Sequence, residues 1–148
     1  LPIFLLVAVH FHFAAFVSPL MAGQVAGKNS WLAVLACAGS PVLALGYVAH
    51  VPAIRLAGAT MLVAGVCVTA ILMLVRIREV KLPAARVLIG VSALSVIVAM
   101  GDAAVYAVAD FFGEVWIAIP QMARTHGVMN AFGFSVAGLL GWALEERK

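Results

Sequence analysis

Hydrophobic positions in this chain fall in long runs, and short polar turns separate them. Five such runs can be drawn, each long enough to cross a hydrocarbon core of about 30 Å as a helix. They cover about 2–24, 31–50, 53–75, 83–112 and 119–144. Pro2 and Pro83 suit the first turn of a helix, where a missing N–H costs nothing. Gly27-Lys28-Asn29-Ser30 and Val51-Pro52 are the short connections, and Arg76–Lys81 is the one strongly charged loop. Gly39-Ser40-Pro41 predicts a kink within the second run. Gly113–Trp116 leads into the fifth run, and Glu145–Lys148 reads as a polar tail. The prediction is an all-α polytopic membrane protein, a single transmembrane domain over 1–148 built as a bundle of five helices.

Composition supports this. Hydrophobic residues make up 66% of the 148 and charged residues 10%, with a mean hydropathy of +1.17. A soluble domain could not coat its core with so little polar surface. The formal charge of +3 is a matter of topology rather than nucleic-acid binding, because the basic residues sit in loops. Lys28, Arg76, Arg78, Lys81, Arg86, Arg147 and Lys148 fall on one side of the membrane, whereas Arg55 and Arg124 belong to the other. Seven against two places the C-terminus in the cytoplasm and the start of the first span outside. Trp31 and Trp142 then fit an inner interfacial belt and Trp116 an outer one. Small residues four apart, Gly23 and Gly27 and also Ala137 and Gly141, suit close helix crossings. Cys37 and Cys67 lie within spans without a partner motif and read as buried apolar thiols. The first run is longer than the apolar core of a signal peptide and is expected to be a span. The chain opens on Leu1 rather than Met, which leaves room for residues upstream.

Polar groups inside the spans are expensive and therefore point to function. The fifth run carries Gln121, Arg124, His126 and Asn130, of which His126 and Asn130 stand four apart on one helical face. Counted from the outer ends at 1.5 Å per residue, His10 and His12 lie roughly 12–15 Å deep. Asp102 and Asn130 lie roughly 15 Å deep and His126 roughly 9 Å. Ser92, Ser95, Asp102, Tyr106 and Asp110 form a stripe on the fourth span, expected to face spans one and five. Ser92 and Ser95 are expected to bond back to their own helix. His10 and His12 are about 200° apart around a helix, so one faces the interior and the other a neighbour; which is which stays open. His50 reads as interfacial, and Asp110 and Glu114 as solvated at the outer mouth.

Two segments carry a family resemblance: His10-Phe11-His12-Phe13-Ala14-Ala15-Phe16 with Pro19-Leu20-Met21-Ala22-Gly23, and Arg124-Thr125-His126-Gly127 with Asn130-Ala131-Phe132-Gly133-Phe134. Together they resemble the YndJ-like family of bacterial integral membrane proteins. The family pairs a His-x-His-Phe-Ala segment in one helix with a Thr-His-Gly…Asn-Ala segment in a later one. The resemblance implies a transporter-like label without a defined reaction, and it links His10, His12, His126 and Asn130 as a set.

The residues themselves suit acid–base chemistry on a lipophilic small molecule, such as an isomerisation or cyclisation. His12, Asp102 and His126 would be the catalytic groups lining one outer cavity, and His10, Tyr106, Arg124 and Asn130 would bind substrate. No nucleotide, flavin or phosphate motif is present, so no cofactor and no metal is expected. The expected partners are the lipid bilayer and the lipophilic substrate, with no nucleic acid. A proton-coupled transporter is the second reading, and five spans without an internal repeat would then need a homo-oligomer. Binding of haem or a metal through histidines on different helices is the third.

Overall fold

The computed structural model describes residues 11–27 and 31–146, apart from the side chains of 32, 33 and 36. His10 lies outside the described residues. Five helical segments follow one another without a strand among the described residues: α1 (Phe13–Ala26), α2 (Trp31–Val48), α3 (Pro52–Val75), α4 (Pro83–Phe112) and α5 (Ile119–Glu146). A short 3₁₀ turn, Arg76–Glu79, extends α3. Three helical stretches, Pro52–Glu79, Pro83–Phe112 and Ile119–Glu146, are long and apolar enough to cross a membrane. The outward surface carries large apolar side chains such as Val87, Leu94, Phe112 and Phe132, each more than half exposed. Such a surface is matched to lipid rather than water. This is a membrane protein of five helices.

Two seams hold the bundle. The first is the α2–α3 hairpin. Val51 N–H reaches the Gly46 carbonyl at 3.0 Å across a left-handed His50 (φ 55°), and Pro52 then starts α3. Gly46 and Gly58 let the two backbones touch: a Cβ on Gly46 would strike Arg55, and one on Gly58 would strike the Leu43 backbone. The second seam joins α4 to α5, where Cβ atoms on Gly133, Gly138 and Gly141 would meet Ser95, Ser92 and Ile89 at 2.5, 2.6 and 2.8 Å. Gly141 thus serves the close crossing expected of it. Gly23 does not, having nothing within 4 Å of its Cβ position, and Gly27 (φ 56°) ends α1 in a turn. Between the seams lies one apolar core to which α1 gives Met21 and Val25, α3 Val66 and Met73, α4 Ile89 and Val96, and α5 Phe134.

The C-terminal end of α5 departs from the polar tail expected at 145–148. Helix α5 runs on to Glu146, and both glutamates fold back onto the bundle. Glu145 accepts the backbone N–H groups of Lys81 and Leu82 at 2.9 and 3.1 Å, just where α4 begins. A carboxylate there satisfies orphan donors and complements the positive end of the helix. Gln24 of α1 donates to Glu146 at 3.0 Å. Trp142 packs against the core with its indole nitrogen buried, whereas Trp31 and Trp116 are exposed. Helix α2 passes through Pro41 as one helix, and its Cys37 is exposed rather than buried, while Cys67 of α3 is half-buried.

Candidate functional site

Helix α5 is not a uniform α-helix. Ala123–Gly127 and Met129–Val136 are wound as π-helix, and so is Phe13–Val17 in α1. Widened turns of this kind are rare and concentrate at functional sites. Both family-like segments contain one. The π-helical part of α5 packs against α4 and also touches that of α1.

His126 sits in this region, 6% exposed. Its Nδ1 lies 2.8 Å from the Ala99 carbonyl of α4. A carbonyl can only accept, so Nδ1 carries the proton. On the other side of the ring, Nε2 is 2.9 Å from the Asn130 amide nitrogen. The neutral imidazole is thus held by both nitrogens, donating through one and accepting through the other. Asn130 is fixed in turn, since its backbone carbonyl accepts from Ser135 Oγ at 2.7 Å, five residues on, as the wide winding permits. Ser92 Oγ of α4 donates to the Phe134 carbonyl at 2.8 Å. That bond crosses between helices, whereas the sequence reading has Ser92 bonding to its own helix. Thr60, Thr69 and Thr125 do bond back four residues, to Leu56, Gly65 and Gln121.

The depth of His126 also differs from the count along α5. It contacts Ala99, which lies thirteen residues or roughly 20 Å inward of Phe112. Helix α5 therefore starts deeper than α4 ends. Asp102 stands one turn outward of Ala99, and its side chain leans back toward that turn, as helical side chains do. The Asp102 carboxylate is half-buried and makes no hydrogen bond or ion pair among the described residues. His126 and Asn130 thus lie in the α4–α5 seam, and Asp102 stands one helical turn along α4 from the carbonyl that His126 contacts.

The other expected site residues fall elsewhere. His12 is exposed, its ring 6.0 Å from that of Phe16. Arg124 is exposed on α5. The stripe on α4 divides along its length. Its inner part, Ser92 and Ser95, faces α5. At the outer end Arg55 of α3 pairs with Asp110 at 3.1 Å, the two side chains 21% and 22% exposed, and stacks over the Tyr47 ring at 5.2 Å. Asp110 is therefore an ion-pair partner rather than a solvated residue. Arg55 and Tyr47 were not singled out as site residues from the sequence, although an arginine within one span and aspartates within the next are a visible pairing signal. A cavity of about 340 Å³ beside this cluster is lined by Tyr106, Asp110, Glu114 and the start of α5 at Ile119–Pro120. Its lining does not include His12, Asp102 or His126. Among the described residues no three His, Cys, Asp or Glu side chains gather to hold a metal ion.

The model of the family described as YndJ-like protein matches residues 1–134. The chain belongs to the YndJ-like family. Over 153 aligned positions it is 28% identical to a Bacillus subtilis (strain 168) protein described as uncharacterized membrane protein YndJ. The alignment takes in 99% of this chain and 28% of that relative, so the chain spans little more than a quarter of the relative's length. No solved structure matches. The family match takes in both the His12 segment and the His126–Asn130 segment.

Proposed function

We propose that the family's α5 motif is an acid–base centre acting on a lipophilic small molecule within the membrane, with His126 as the proton-transferring group, Asn130 as its partner and Asp102 as the neighbouring acid. One observation carries this reading: the His126 ring is pinned with its proton on Nδ1, toward Ala99, and its basic Nε2 toward an amide. An amide serves both protonation states of the ring. Its NH₂ donates to neutral Nε2, and after reversal its oxygen accepts from a protonated Nε2. A proton can thus be loaded and released without leaving a buried polar group unpaired, which is what costly intramembrane groups require. Asp102, one turn away and without a fixed partner among the described residues, supplies the second exchangeable site. Isomerisation or cyclisation is the reaction class that such a pair can serve without a cofactor. The orientation that goes with this reading has the C-terminus cytoplasmic in a bacterial inner membrane.

The test is mass spectrometry of small molecules retained by protein purified gently from its native membrane. The expected result is a lipophilic compound present with the wild type and lost from His126→Ala and Asp102→Ala, both still monodisperse. Retention of the same compound by both variants would sink the site. Release of an unaltered compound, after incubation under turnover conditions, would move the reading from enzyme to proton-coupled carrier.

A further inference from the structure

We infer that the cavity at the outer end of α4 is a binding site for a lipophilic organic ammonium ion, independent of any chemistry at His126. Its shape comes from how α4 stops. Gly113, at φ 73°, ends the helix, and Glu114 N–H turns back to the Ala109 carbonyl at 2.8 Å. The chain then returns through Val115 and Ile117 to Pro120, leaving a hollow of about 340 Å³. That volume lies in the range of small-ligand pockets.

The charge balance of the hollow is uneven. Asp110 and Glu114 both line it, and the carbonyl end of α4 adds about half a negative charge. Arg55 reaches in from α3 and offsets Asp110 alone, through one oxygen. Glu114 makes no ion pair or hydrogen bond among the described residues. One uncompensated carboxylate, that of the exposed Glu114, and a helix C-terminus therefore border walls that are otherwise largely apolar, with Tyr106 among them. An anion is repelled here, and a neutral apolar molecule gains nothing from the carboxylates. A hydrated inorganic cation would leave the apolar walls unused, and the carboxylates are too few to strip its water. An ammonium group on an apolar body uses both features, and the aromatic ring adds cation–π attraction.

The experiment is isothermal titration calorimetry of the full chain in nanodiscs with benzyltrimethylammonium, using empty nanodiscs as the blank and benzenesulfonate as the anionic control. Saturable binding of the ammonium is expected, about tenfold weaker for Glu114→Gln, the loss of one charge-assisted contact. Ala118→Trp, which fills the hollow with a ring, should abolish binding, and His126→Ala should leave it unchanged. Heats no larger than the blank, equal affinity for benzenesulfonate, or undiminished binding by both Glu114→Gln and Ala118→Trp would each overturn the assignment.

Discussion

Ser92 shows how a small polar residue can set the position of a whole helix. Its hydroxyl is fully buried and donates to the Phe134 carbonyl across the α4–α5 seam. Ser92→Ala leaves that carbonyl with one donor fewer, a loss of about 1 kcal/mol. Ser92→Val should do worse, because its extra methyl must sit where Gly138 already lacks room for a Cβ. Thermal unfolding in one detergent checks both, with melting temperatures expected to fall in the order wild type, Ala, Val. If Ser92→Ala melts with the wild type, the hydroxyl bond does not hold the seam. Residue-level features were legible in the sequence where both partners lie in one helix. The i, i+4 spacing of His126 and Asn130 foretold their contact, and the threonine back-bonds followed the same logic. Partners on another helix were not legible. Nothing in the sequence marks the Ala99 carbonyl as the acceptor for His126, because every residue has a carbonyl and local periodicity does not say which helix lies opposite.

At the scale of the element, the spans themselves were written in the hydropathy, yet their winding was not. A count at 3.6 residues per turn treats 123–136 as ordinary helix, whereas the π-helical stretches align residues five apart, as in the Ser135–Asn130 bond. Close crossings escaped in a similar way. Glycines four apart mark a surface that can pack, but only the neighbour decides whether it does, and Gly58 rather than Gly23 turned out to be indispensable. The same substitution should therefore act in opposite directions at two helical glycines. Gly58→Ala drives a methyl into the Leu43 backbone and is expected to destabilise by about 1–3 kcal/mol. At Gly101→Ala the methyl enters open space on α4, and helix propensity favours alanine by up to about 1 kcal/mol. Thermal unfolding of the two variants side by side is the check. A shift of the same sign in both would mean that propensity, not the α2–α3 contact, governs these positions.

For the molecule as a whole, charge and contacts agree on two distinct ends. At one end the arginine-rich turn after α3 leads to the N–H groups of Lys81 and Leu82, which Glu145 collects, while Glu146 holds Gln24. At the other, Arg55 is met by Asp110 at 3.1 Å. Vertical offset is what the sequence could not supply: α5 begins below the end of α4, and only the fold brings His126 level with Ala99. Orientation is directly measurable with single cysteines introduced after Cys37→Ser and Cys67→Ala. Val115 is 79% exposed in the α4–α5 connection, and Lys148 follows α5 in the sequence. In intact cells a membrane-impermeant maleimide should label Val115→Cys, and Lys148→Cys only after the membrane is opened. The reverse pattern would turn the ammonium cavity toward the cytoplasm.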